Sequence, residues 1–154
     1  MTIGEYHYLE SGLINVWLQG IEILNCECGE KIISIPQILE LHQLIAEFLL
    51  EQENQLSGRE IRFLRKHMGL KAQDFARKLG VNKSTVSRWE HDKDRPSESI
   101  DRLIRLFYAT QMSLLQKAED LIKKRFQYIN PEQAEPAISV PVEMLKKICS
   151  SAVI

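Results

Sequence analysis

The sequence predicts a mainly α chain with a small β part at its front, an α+β architecture, and three patterns carry that prediction. From Glu5 to Ile35 apolar and polar residues alternate with the period of a strand; from Pro36 onward apolar residues recur every three or four positions, the period of a helix. Of 154 residues 44% are hydrophobic, with seven Gly and five Pro. That is enough apolar content for a core and too few breakers for a collagen-like or low-complexity chain. The length suits one or two small domains.

In the front segment Tyr6 and Tyr8 alternate, and Ile14, Val16 and Leu18 share one face. Gln19-Gly20 offers a turn, after which Ile21 and Ile23 resume the alternation, so a hairpin is expected. Ile32-Ile33-Ser34-Ile35 supplies one more strand. Pro36 suits the first turn of a helix over residues 36–51. On it Ile38, Leu41, Ile45 and Phe48 form an apolar stripe, widened by Leu44 and Leu49, with Glu40, Glu47 and Glu51 largely outside. Residues 52–57 read as a polar linker, and Ser57 as the N-cap of the next helix.

The next helix, from Gly58 to Gly69, carries Ile61, Leu64 and Met68 on one face. A second runs from Ala72 to Leu79 and stops at Gly80. A third opens at Asn82, whose side chain is placed to cap Ser84 or Thr85. Ala76 is small where two helices approach, Gly80 permits a left-handed turn, and Val86 closes the core: the physical requirement of a helix-turn-helix. Ser97 caps a further helix through Ile100, Leu103, Ile104, Phe107 and Tyr108. The pattern resumes through Leu114, Leu115, Ala118, Leu121 and Ile122 toward Phe126. Residues 130–137 read as a loop, and Pro141 to Leu145 as the start of a last short helix. The expected domains are 1–55 (hairpin plus helix), 56–111 (helix-turn-helix) and 112–154 (a helical extension with a dimerisation role).

The net charge of −1 hides an asymmetry. Residues 1–55 hold one basic and nine acidic residues, whereas 56–108 hold thirteen basic and seven acidic. Only the middle is suited to face a polyanion. No apolar run reaches the ~18 residues of a membrane span, and the first residues lack the pattern of a signal peptide. Three cysteines do not make a disulfide framework. The expected location is the cytoplasm. No nucleophile with a neighbouring base, phosphate loop or carboxylate–histidine set stands out, so no enzyme is expected. Cys26-Glu27-Cys28-Gly29 raises zinc, with His7 and His42 as further ligands. A zinc ribbon wants two Cys pairs, each separated by two residues, and this pair is separated by one. No metal and no other cofactor is expected.

Ile61-Arg62-Phe63-Leu64-Arg65-Lys66, Gly69-Leu70, Phe75-Ala76, Leu79-Gly80-Val81, Thr85-Val86-Ser87-Arg88-Trp89-Glu90 and Pro96 resemble the Cro and phage-repressor-like (XRE) helix-turn-helix regulators, over about residues 57–108. Upstream, Tyr6-His7-Tyr8, Glu10-Ser11-Gly12-Leu13, Asn15-Val16 and Cys28-Gly29 resemble the front of MqsA (YgiT-type) antitoxin-like regulators, in which a small zinc-ribbon domain precedes the helix-turn-helix. Here the first Cys-x-x-Cys is absent and the second is shortened, so the ribbon is incomplete. The resemblance implies a five-helix lambda-repressor-like domain.

A helix is about as wide as the DNA major groove, so the start of the third helix can reach base edges. Lys83, Ser84 and Thr85 lie there, Ser87 and Arg88 follow on the exposed side, and Val86 and Trp89 point inward. Arg88 and Lys83 suit guanine O6 and N7; the serines are adaptable donors or acceptors. Lys71, Asn82, Lys93 and Arg95 are the phosphate candidates. In repressors of this kind a buried ion pair ties the first helix to the third, a role the resemblance implies for Arg65 and Glu90. Lys71-Ala72 stands where relatives often have Ser-Gln, and Asp92 where a glycine commonly ends the third helix. The function implied is sequence-specific binding of double-stranded DNA by a homodimeric transcriptional regulator, or an antitoxin whose acidic residues 1–55 bind a basic toxin. The competing reading is an interaction module whose helix-turn-helix no longer reads DNA.

Overall fold

The computed structural model describes residues 2–124 and 135–145. Its elements confirm an α+β chain: strands β1 (Thr2–His7), β2 (Val16–Asn25), β3 (Lys31–Ile33) and β4 (Ile138–Pro141), and helices α1 (Ile38–Glu51), α2 (Gly58–His67), α3 (Ala72–Leu79), α4 (Lys83–Glu90), α5 (Glu98–Gln111) and α6 (Leu115–Lys124). The chain divides into two compact units, Met1–Ile45 with Pro136–Ile154, and Ala46–Glu135. The division falls inside α1, whereas the sequence places a boundary at residue 55.

In the first unit β2 is the central strand. β1 runs antiparallel along one edge, while β3 (antiparallel, at Ile23–Asn25) and β4 (parallel, at Val16–Gln19) share the other. Gln19-Gly20 is not a turn. Gly4 pairs with Ile21 and Glu5 with Gln19, leaving Gly20 as the extra residue of a bulge at φ +76°. The bulge keeps Leu18 and Ile21 both on the buried face, although they are three apart. The β1–β2 connection instead passes through a short 3-10 turn at Leu9–Ser11. The β2–β3 hairpin turns at Cys26–Gly29, closed by Gly29 N–H donating to Cys26 O at 2.9 Å.

α1 opens two residues later than Pro36 predicts, because Gln37 takes a left-handed φ of +50°. Its buried positions include Leu41, Ile45 and Leu49, whereas Ile38 and Phe48 of the expected stripe are exposed. β4 lies between the expected loop and the expected last helix, where the sequence pattern predicts no strand. Pro141 ends this strand, residues 143–145 are helical, so the last helix opens two residues later than expected, and Ile138 N–H donates to Asn15 O at 2.7 Å. The expectations for Phe126 and most of 130–137 lie outside the described residues.

The second unit is helical. Ser57 caps α2 through a complete capping box with Glu60. Ile61, Leu64, Phe75, Val86, Ile104 and Tyr108 are fully buried and bring α2 to α5 onto one core. Residues 52–56, read from sequence as a linker, are pinned. Buried Arg105 donates to the carbonyls of Leu49, Gln52 and Asn54 and to Asp101, whose other oxygen accepts from Leu56 N–H.

Candidate nucleic-acid interface

Local chemistry fixes the joint that presents α4. α3 ends on Gly80 in the left-handed region (φ 71°), and Val81 N–H donates to Ala76 O at 3.0 Å. Ala76, Val86 and Trp89 are buried at 2%, 0% and 5% exposure, so α4 turns one face to the core. Its other face is set by elimination. Lys83, Ser84, Ser87 and Arg88 are exposed and Thr85 is half-buried. Ser84 and Arg88 are one helical turn apart, as are Lys83 and Ser87, which gives a polar, cationic strip along the helix.

Asn82 has the extended backbone of an N-cap, but its side chain makes no capping bond; the expected cap is corrected. Its carbonyl still accepts from Thr85 and Val86 N–H, and its exposed side chain is left to solvent. Lys71 occupies the N-cap position of α3, exposed and likewise without a side-chain cap. Lys93 and Arg95 are exposed in the segment after α4. Arg95 lines a polar cavity of about 280 Å³ together with Asp92, Asp94 and Glu135, so carboxylates partly offset its charge.

Arg65 Nε donates to Glu90 Oε1 at 2.5 Å and Nη2 to Oε2 at 3.0 Å, both side chains being nearly buried; Nη1 satisfies Leu70 O. This bidentate pair fixes α4 against α2. Two contacts were not legible in the sequence. Arg88 Nε donates to Asp94 Oδ2 at 2.5 Å, and the bond raises the guanidinium pKa and holds the Asp94 carboxyl below its usual range. Asp92, left-handed at φ +54°, accepts from Gly58 N–H at 2.9 Å and so ties the end of α4 to the start of α2. The one usable signal was Asp92 itself, in place of glycine where the helix must end.

In the first unit Cys26 and Cys28 are exposed free thiols at a hairpin tip. The Cys28 thiol is lowered by its hydrogen bond with Cys26 and by the Glu30 backbone. Among the described residues no group of three or more His, Cys, Asp or Glu is placed to hold a metal. Among those residues no helix is long and apolar enough to cross a membrane.

Residues 61–105 match the family described as Helix-turn-helix. Over 50 residues, 32% of this chain, the sequence is 48% identical to the uncharacterized HTH-type transcriptional regulator YiaG of Escherichia coli K12. It matches the proteins of that name from Escherichia coli O6:H1 and O157:H7 at the same identity. The chain spans about half, 52%, of the length of these relatives. No solved structure matches it.

Proposed function

We propose that this protein is a DNA-binding transcriptional regulator that acts by occupying an operator, without chemistry. The observation that carries the reading is the exposed strip of α4, from Lys83 and Ser84 to Ser87 and Arg88, held out by a core that buries Val86 and Trp89. Such a strip in the major groove places Arg88 and Lys83 for guanine O6 and N7, with Lys71, Asn82, Lys93 and Arg95 toward phosphates. The Helix-turn-helix match over 61–105 and the regulator name of the relatives support it.

Homodimerisation on a two-fold site belongs to the same proposal. It is supported by the apolar Leu103 and Ile122, 41% and 48% exposed on α5 and α6, helices other than the reading helix. The nine acidic residues among 1–55 support a basic protein partner for that segment, the antitoxin-like arrangement. Loss of toxin neutralisation on deleting 1–55, with operator binding kept, tests that part.

Selection of bound duplexes from random DNA tests the whole. A two-fold-symmetric site is expected to be enriched. Arg88→Ala then loses discrimination at one base position, about 5- to 150-fold, whereas Lys93→Ala weakens all sequences alike and flattens the salt dependence by about one. Enrichment of no sequence overturns the reading in favour of an interaction module.

A further inference from the structure

An arginine on an exposed helix face ordinarily samples many rotamers, and each must be frozen when it meets a base. Arg88 differs. Its Nε donates to Asp94, and Asp94 stands on a segment that is itself fixed. Lys93 N–H donates to Arg88 O at 2.9 Å, and Asp92 is bonded to Gly58 on one side. On the other, Pro96 is buried and its carbonyl accepts from the Gln55 side chain. The carboxylate thus has a backbone anchored before and after it, while both Arg88 and Asp94 remain about half exposed and open to a ligand.

We infer that Asp94 is a specificity-determining positioning residue, which takes the Nε of Arg88 and leaves the Nη1 and Nη2 donors aligned for the O6 and N7 acceptors of a guanine. This rests on the reading of α4 as the groove-facing helix. The chemistry gives Asp94 its role without a base contact of its own. A guanidinium has five N–H donors in a rigid plane, and fixing one edge fixes the direction of the others. Guanine, with two acceptors side by side, rewards a fork held in one plane; a single donor from a mobile side chain meets adenine N7 or thymine O4 as readily. A carboxylate close to the DNA also repels phosphate, so it weakens binding to every sequence while sharpening choice at one.

The test is a binding series on sites selected by the wild-type protein, with Asp94→Ala, Asp94→Glu, Arg88→Ala and the double variant. Every single-base change in the site is measured at two salt concentrations, with melting curves to confirm folding. Asp94→Ala is expected to reduce discrimination about five-fold or more at the position where Arg88→Ala loses it, and nowhere else. Asp94→Glu restores part of it, and Asp94→Ala adds no further loss of discrimination in the Arg88→Ala background. Overall affinity rises on removal of the negative charge, with a steeper salt dependence. Unchanged discrimination, with affinity raised by one common factor whether or not Arg88 is present, overturns the inference and leaves the regulator reading intact. So does an Arg88→Ala variant that discriminates as wild type does. If the wild-type protein selects no site, the reading falls and the inference with it.

Discussion

Replacing Glu60 by Gln removes a pH dependence from the stability of the helical unit. Glu60 is fully buried in the first turn of α2, where Oε2 accepts from Ser57 N–H and Gln52 Nε2, both at 2.9 Å, and Oε1 has no partner among the described residues. Burial pushes its carboxyl from 4.5 up to about 7, and the Glu135 charge adds to this, against the Ser57 and Gln52 hydrogen bonds and the Arg105 charge. A carboxyl raised on folding binds its proton more tightly in the native state. Its stabilisation is therefore full below about 4.5 and is lost as pH rises through about 7. That gap corresponds to about 3 kcal/mol, most of which disappears between pH 5 and pH 8. Gln cannot ionise, yet it keeps the acceptor of the capping box. Urea midpoints near pH 5 and pH 8, followed by Trp89 fluorescence with Trp17 replaced by Phe, isolate the unit. The wild-type stability minus that of Glu60→Gln is expected to fall with rising pH by about 2–3 kcal/mol. A difference that stays flat, or that rises, refutes the assignment of Glu60 as a buried acid.

Gly58→Ala is expected to cost about 1–3 kcal/mol, because an added Cβ overlaps the Trp89 carbonyl oxygen and crowds Asp92 Oδ1; a thermal melt measures it. Arg105→Met leaves the Asp101 carboxylate buried without its partner and frees the carbonyls of Leu49, Gln52 and Asn54, an expected loss of about 3–5 kcal/mol in urea unfolding. Glu90→Gln weakens the bidentate pair with Arg65 and is expected to cost about 1.5–3 kcal/mol. DNA affinity should fall with it only as far as the folded fraction does, which binding measured well below the melting temperature checks.

What was legible in the sequence is what local chemistry decides. Ser57 before a helical pattern announces an N-cap, Gly80 a left-handed helix end, and the Ala76, Val86 and Trp89 spacing a buried face. Partners distant in the chain leave no such mark. Arg105 and Asp101 are four apart on a helix and look like a solvated surface pair, yet they are buried at 4% and 0% exposure because five backbone groups from residues 49–56 need them. β4 is too short for alternation to be diagnostic, and its pairing with β2 spans over a hundred residues. Gly20 suits a turn or a bulge equally well, since a glycine at positive φ serves both; only the continued pairing of both flanks with β1 decides.

The same distinction explains the charges around α4. From Arg88 to Arg95 the sequence alternates sign, Arg-Trp-Glu-His-Asp-Lys-Asp-Arg, which a charge count treats as self-cancelling and ill suited to a polyanion. In the fold each acid is already employed. Glu90 answers Arg65, Asp92 answers the amide of Gly58, and Asp94 answers Arg88. An acid bonded inward, as Glu90 is, contributes little field at the surface, so the exposed charge from Arg88 to Arg95 is more positive than the sum over the segment. Asp92 and Asp94 both stay exposed, and Asp94 lies beside the guanidinium it holds. On the reading of α4 as the groove-facing helix, a carboxylate at that face weakens general affinity, and the proposed gain of selectivity at one base position offsets that cost.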